Sequence, residues 1–436
     1  MIRRYSMRDK KSRAFRRLLL RSQNELEEVK VAVRAIIQEV RAEGDSALVR
    51  YAQKFDDAAF QKSMLCVDAQ EIEKAYENIL PEVLSAIREQ IRYAQRFHER
   101  QRSAIQDWEG TTGEGIVVGE KWTAIEAVGL YIPGGKNPFP TVAQILAVPA
   151  VLAGSGRIVA AISPKGNQYE TLVALAECGV TEIYRMSGAQ AIAALAYGTS
   201  TVKPVELIAG PGSPWVTAAK ILCQERVAID MPAGPSEAVI IADGGLSKGV
   251  DLQKKAEYCA ADILARAEHG PDSAAVLVTT SGKLARLTQE EIKKQFELLS
   301  RKEYLQSALK NYCGILLVDT LDEAVEFTNS YAPEHLEILT ENPRLVLEQI
   351  TNAGSVFLGM YNPVALGDYA SGVNHILPAS GWAKRTSAVG VWTFMKRVQY
   401  SDVSKMGLRK LQPIVNRIAD VEGLDAHRAS VDRRLK

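Results

Sequence analysis

The chain has 436 residues, 47% of them hydrophobic and 24% charged, with a formal net charge of +1. That length exceeds what one ordinary core holds, so two or more domains are expected, and the near-neutral balance supplies no electrostatic reason to expect nucleic acid or a membrane as a partner. Five cysteines, Cys66, Cys178, Cys223, Cys259 and Cys313, stand far apart with no Cys-x-x-Cys pair; this points to free thiols in a reducing, cytoplasmic compartment, and no apolar run reaches membrane-spanning length.

Basic residues dominate from Arg3 to Arg21, where Asp9 is the only acid. The segment reads as an N-terminal extension packed on the body or on a partner subunit. Ser22 with Glu25 forms a capping box ahead of an amphipathic helix carrying Val29, Val33, Ile36, Ile37 and Val40, stopped by Gly44. Asp68 with Glu71 opens another helix, and Pro81 punctuates a long helical stretch reaching about Gln101. Residues 116–132 turn to strand character and end at Pro133-Gly-Gly. Short apolar runs then alternate with helix-length segments: Ile158–Ile162, Ile183–Met186, Val205–Ala209, Ala238–Ala242, Ala275–Thr279, Ile315–Val318 and Ser355–Leu358. Glycine turns follow several of them, at Ser187-Gly-Ala-Gln, Ala209-Gly-Pro-Gly and Ala233-Gly-Pro-Ser. The repetition predicts an α/β architecture with two parallel sheets of βαβ units, and ligands beyond the C-terminal strand ends where the glycine turns fall. After about Gly390 a helical, charged tail runs to Lys436.

Four of the five histidines sit beside carboxylates or glycine turns: His269 in Ala267-Glu-His-Gly-Pro-Asp-Ser, His335 in Tyr331-Ala-Pro-Glu-His-Leu-Glu, His375 after Gly367-Asp-Tyr-Ala-Ser-Gly-Val-Asn, and His427 closing Glu422-Gly-Leu-Asp-Ala-His. The fifth, His98, lies in the charged run Arg96-Phe-His-Glu-Arg. Imidazole is the commonest metal ligand and the readiest proton carrier near neutral pH. The four therefore point to a metal or proton-transfer site gathered from distant segments, against the alternative of unrelated surface or capping histidines. Glu334-His335 places two proton carriers together, provided that a turn or bulge at Pro333 brings both to one side. His269, Asp368 and His427 are good zinc ligands, but only the fold or a second subunit could gather them. The glycine turns suit a phosphate. Ala153-Gly-Ser-Gly-Arg, however, precedes a strand, the wrong order for a dinucleotide fingerprint.

Taken together, Gly129-Leu-Tyr-Ile-Pro-Gly-Gly-Lys, Ser187-Gly-Ala-Gln-Ala-Ile-Ala-Ala-Leu-Ala-Tyr-Gly-Thr, Ile229-Asp-Met-Pro-Ala-Gly-Pro-Ser-Glu and the blocks around His269, His335 and Asp368 resemble histidinol dehydrogenase, from about Leu26 to His427 and in the right order. The resemblance implies an enzyme of the last step of histidine biosynthesis, which oxidises the small molecule L-histidinol to L-histidine with two NAD+ through a bound aldehyde, and which carries zinc (Zn2+). It further implies a homodimer with shared active sites and two Rossmann-like domains with parallel-rich sheets flanked by helices. The first domain would combine 28–130 with 237–388 and hold metal and substrate; the second, 131–236, would face NAD. An N-terminal helical extension (1–27) and a C-terminal helical arm for dimerisation (389–436) would complete the chain. By the same resemblance Glu334 would activate water and His335 would be the main base. His269 and Asp368 would ligate zinc, with His427 arriving from the other subunit. Ser236, His375 and Glu422 would touch substrate, and Tyr131 and Gln190 would touch NAD.

Two positions depart from the family pattern. Arg266 stands where the family has a glutamine that ligates zinc, and guanidinium has no lone pair to offer a metal. Ser213 stands where the family has an asparagine on the cofactor side. Arg266 thus becomes a candidate substrate contact and Ser213 a shortened cofactor contact. Besides a working histidinol dehydrogenase, this leaves a paralogue oxidising another, anionic alcohol that Arg266 would bind, or a non-catalytic dimeric binding protein. A stretch near Gly244–Cys259 is longer than the family pattern predicts.

Overall fold

The computed structural model describes residues 2–6, 12–20, 26–134, 137–232, 234–245 and 249–436. The expected capping box of Ser22 and Glu25 lies outside the described residues, as do part of the Pro133-Gly-Gly turn, Ala233, and residues 246–248 of the long stretch near Gly244–Cys259. In chain order the strands are β1 (Arg3–Ser6), β2 (Trp108–Gly113), β3 (Ile116–Ala124), β4 (Ala127–Tyr131), β5 (Arg157–Ile162), β6 (Glu182–Arg185), β7 (Leu207–Ala209), β8 (Ala228–Ile229), β9 (Glu237–Ala242), β10 (Ala274–Thr279), β11 (Gly314–Leu317), β12 (His335–Leu339), β13 (Ser355–Leu358) and β14 (Met395–Val403).

Two parallel sheets form the α/β body. One runs β6-β5-β4-β7-β8 and the other β1-β11-β10-β9-β12-β13. Apart from β12, their inner strands are largely apolar without alternation, and every residue of β9, β10 and β12 is buried. Such strands need helices on both faces, which is why the short apolar runs alternate with helices. Helix Leu252–Ala267 shows how a helix is set here: Asp251 caps the Lys254 N–H at 2.8 Å, and Ala256, Cys259, Ala260, Ile263, Leu264 and Ala267 are buried at helical spacing. No helix among the described residues is long and apolar enough to cross a membrane.

Three expectations are corrected. First, grouping 28–130 with 237–388 departs from the observed packing. Val33, Ile36, Ile37, Val40, Leu48 and Tyr51 bury against helices of the five-stranded sheet, and Ile87, Ile91 and Ala94 bury with its other face. The apolar stripes of these helices match their neighbours in the chain, and β4 at 127–131 already belongs to that sheet. Second, the tail after Gly390 is not all helical. β14 pairs antiparallel with β3 over nine residues, in a third sheet of order β14-β3-β2, before helices Lys405–Glu422 and Asp425–Leu435. The strand is almost wholly exposed, so no burial pattern marked it in the sequence. Third, the N-terminal extension is not only helical: Arg3–Ser6 adds a parallel edge strand beside β11, and helix Arg13–Leu20 buries Phe15 and Leu18 in the core of the six-stranded sheet.

Candidate active site

The chain leaves the five-stranded sheet at the C-terminal end of β8 and enters the six-stranded sheet at the N-terminal end of β9. The C-terminal edge of one sheet therefore faces the N-terminal edge of the other. A cleft of about 60 Å³ between them is lined by Gly210, Pro211, Lys220, Asp230 and Met231 on one side and by Glu334 and His375 on the other. A second, much smaller cleft reaches Asp368 and His375. In the five-stranded sheet it is the C-terminal strand ends, with the Gly210 turn, that border this cleft. The candidate chemistry of the other sheet lies at its N-terminal edge.

His335 is the first residue of β12 and is 2% exposed. Ala332, with φ of 52°, closes the preceding helix in the left-handed region, and Pro333 then leads to Glu334. This turn brings both side chains to one place, with Glu334 Oε2 3.4 Å from His335 Nδ1. Gly354 allows that approach, because a Cβ there would meet the Glu334 carbonyl. His335 Nδ1 lies 3.1 Å from the Glu237 carbonyl, which can only accept, so Nδ1 carries the proton and Nε2 keeps the lone pair. Nε2 is buried without a hydrogen-bond partner among the described residues, 3.8 Å from Asp368 Oδ1. The ring stacks on Phe357 at 6.2 Å. Burial and then Arg266 depress the His335 imidazole, but Glu334 and Asp368 outweigh them and leave it above its usual value.

Glu334 Oε2 accepts from the Glu237 N–H at 2.9 Å and from Ser236 Oγ at 3.2 Å. Burial raises its pKa, and His335 and Arg266 more than reverse this, so the group stays ionised. In return Glu237 Oε1 accepts from the N–H groups of Glu334 and Ser380, at 3.2 and 3.1 Å. Asp368, on the short helix Val364–Tyr369, is held down at about 2: burial opposes its charge, but His335 and Arg266 prevail. Glu337 sets that helix by accepting the Val364 N–H at 2.9 Å. His375 is lowered to about 4, first by burial. His269 opens to solvent at the rim, yet enough protein surrounds it that dehydration, then Arg266, lowers it to about 4.

Ser236, Arg266, His269, Glu334, His335, Asp368 and His375 therefore converge. Tyr131, Gln190 and Ser213 lie at the C-terminal edge of the five-stranded sheet, following or ending β4, β6 and β7. The Tyr131 hydroxyl accepts the Gly188 N–H at 3.0 Å, Gln190 is buried, and Ser213 precedes helix Pro214–Leu222. Glu422 and His427 are exposed on the C-terminal helices. His98, despite its charged surroundings, is fully buried, with Nδ1 2.8 Å from Gln101 Oε1. Sequence reading missed Glu237 and the buried Lys220–Asp230 pair, which holds the carbonyl and N–H of Gly210. It also missed the stripe Lys255, Cys259, Asp262 and Arg266, whose spacing of four, three and four residues on one helix was visible. Along that stripe burial, chiefly, pushes Asp262 up to about 6 and Glu337 well above the carboxylate range.

The zinc implied by the resemblance meets a donor set that does not suit it. Asp368 Oδ2 lies 3.6 Å from Arg266 Nη2, and no group of three or more His, Cys, Asp or Glu among the described residues is placed to hold a metal ion. Two unit charges of one sign 4 Å apart repel by about 4 kcal/mol at an effective permittivity near 20, and a divalent ion beside guanidinium by about twice that.

A family model described as histidinol dehydrogenase matches residues 19–435. The chain belongs to the histidinol dehydrogenase family. It is 42% identical over 424 residues to the histidinol dehydrogenase of Methanocaldococcus jannaschii, covering 96% of each chain. It is 44% identical over 407 residues to that of Bacteroides thetaiotaomicron, covering 92% of each. The crystal structure of histidinol dehydrogenase from Elizabethkingia anophelis superposes with a TM-score of 0.91 at 34% identity, over 100% of this chain and 98% of that one. The chain is accordingly an oxidoreductase of this family, acting on a small molecule.

Proposed function

We propose that the enzyme oxidises L-histidinol to L-histidine in two hydride-transfer steps through a bound aldehyde. The observation that carries this reading is the free Nε2 of His335, its tautomer set by the Glu237 carbonyl, beside the ionised Glu334. His335 accepts the hydroxyl proton as the carbinol carbon loses hydride. Glu334, held by Ser236 and the Glu237 N–H, orients the water that adds to the aldehyde and takes its proton. His335, once it has passed its first proton to water in the cleft, accepts a hydroxyl proton of the hydrate as the second hydride leaves. Four electrons pass in all.

NAD+, when bound, supplies the hydride acceptor. The residues at the edge of the five-stranded sheet fit it. β4 and β7 adjoin where the strand order reverses, Gly210 closes tightly on the Tyr131 carbonyl, and helices Gly188–Tyr197 and Pro214–Leu222 begin there. Tyr131, Gln190 and Ser213 would line that site. No step passes through zinc. His269 and Asp368 would instead meet the substrate as polar contacts, with Ser236 and His375.

The enzyme would act as a homodimer. Ile414, Ile418 and Val421 are 61%, 52% and 79% exposed at helical spacing on the C-terminal arm, an apolar row that a second copy would cover. The same arm would carry Glu422 and His427 to the partner's cleft.

Purified enzyme should form two NADH per L-histidinol consumed. One NADH with release of the aldehyde would remove the second step, and no NADH from a folded dimer would sink the reading.

A further inference from the structure

We infer that Arg266 is the resident cation of this cleft and stands in place of a bound metal. The side chain is 5% exposed, on the last turn of helix Leu252–Ala267. Nη1 donates to Ser236 Oγ at 2.5 Å and Nη2 lies 3.6 Å from Asp368 Oδ2. The other oxygen of Asp368, Oδ1, is 3.8 Å from His335 Nε2. Both oxygens of the carboxylate that would coordinate a metal therefore already face a cation or an imidazole.

A metal could enter only if Arg266 left, and its surroundings resist that. Guanidinium does not lose its proton in proteins, so it cannot make room by becoming neutral as a lysine can. It belongs to the buried helix stripe with Asp262, and Glu337 also feels its charge from below. Departure would leave Ser236 with Glu334 alone and Asp368 with His335 alone, and would draw a buried charge out of a packed helix end. The rest of the set is thin: His269 lies at the rim, Asp368 is engaged, and His427 would have to arrive from the partner subunit.

The inference holds whichever alcohol is oxidised. On the histidinol reading it also names what Arg266 does: its N–H groups donate to the unprotonated imidazole nitrogen of the substrate, where a metal would offer an empty orbital. Substrate would then be positioned by hydrogen bonds and charge alone.

The test is zinc binding to the intact protein, read by calorimetry with zinc chloride and by elemental analysis after dialysis. Wild type should hold no stoichiometric zinc. Arg266→Gln keeps a donor for Ser236, removes the charge and supplies a carbonyl oxygen; it should gain one site per subunit, with affinity about 100-fold higher than wild type. One zinc per wild-type subunit, bound as tightly as by Arg266→Gln, would overturn the inference. Should the variant not fold, chelation of the wild type decides: NADH formation from L-histidinol should be unchanged by EDTA, and loss on chelation with recovery on zinc would overturn it. Zinc-free wild type with no turnover of L-histidinol would support the inference while removing the histidinol reading, so the two fail separately.

Discussion

The two parallel sheets reverse their strand order in the same way, yet use opposite edges. In the five-stranded sheet the reversal lies between β4 and β7, and beyond it the Gly210 turn borders the cleft. In the six-stranded sheet it lies between β9 and β12, and beyond their C-terminal ends the space is filled. There Lys255, fully buried, donates to Asp243 Oδ1 at 2.8 Å and to the Gly245 carbonyl at 2.6 Å, while Asp243 Oδ2 accepts the Glu341 N–H. The helix that would present its N-terminus to a ligand presents its own ammonium inward instead. A reversal of strand order offers a crevice, and the side chains there decide whether anything enters it. Catalytic candidates of the six-stranded sheet collect at its other end because the connection from β8 to β9 turns that end toward the open edge.

The largest effect expected at the catalytic edge is from His335→Ala. It should lower kcat by about 1000-fold with the protein still folded, as judged by circular dichroism and gel filtration. Unchanged turnover would separate β12 from the chemistry. If the arm completes the partner's cleft, deleting 420–436 should abolish turnover of the homodimer. A heterodimer of that deletion with His335→Ala should then recover activity at one of its two sites; no recovery would confine the chemistry to one chain.

Next come the two buried lysines, which test the edges against each other. Lys255→Met strands Asp243 and should lower unfolding free energy by about 3 kcal/mol in urea melts, with KM for NAD+ unchanged. Lys220→Met should destabilise similarly and also raise KM for NAD+, because Lys220 holds the Gly210 turn. Equal effects on KM would erase the distinction between the two edges.

The smallest effect expected lies away from both edges. Asp45, 4% exposed, accepts from Ser200 and Thr201 at 2.6 Å and pairs with Lys62 at 2.9 Å. Burial opposes its charge, but these partners hold its pKa well below the usual carboxylate range. Its folded value is depressed, so its stabilisation is full above the unfolded value near about 4 and is lost as pH falls further. Asp45→Asn should lower Tm at pH 7 and flatten the decline of Tm below about pH 4. An unchanged acid limb would remove Asp45 as its source.

Much of the framework was legible because local rules carry it. The Asp68–Glu71 capping box and the stop at Gly44 appear as read. The apolar runs became β5, β6, β7, β9, β10, β11 and β13, since strands buried on both faces need unbroken hydrophobic sequence. β12 escaped notice because Glu337 and His335 interrupt it with buried polar side chains that only their partners make tolerable. β14 escaped because an exposed strand has no face to bury, and β1 because its four residues sit in a basic run that read as a tail until β11 lay beside them.

Sequence alone determined which chemistry was available: a Glu-His pair, a carboxylate and scattered imidazoles, set among blocks that carry the family. It also showed that residue 266 bears a cation. Only the tertiary structure decided what that cation does, by placing its guanidinium between Ser236 and Asp368. The physical reason is that residue identity sets a group's charge and donor inventory, whereas burial and the partners brought from distant segments set what the group can hold. Residues 236, 266, 334 and 368 meet only when β9 pairs with β12 and the two helices bearing Arg266 and Asp368 pack at their N-terminal edge.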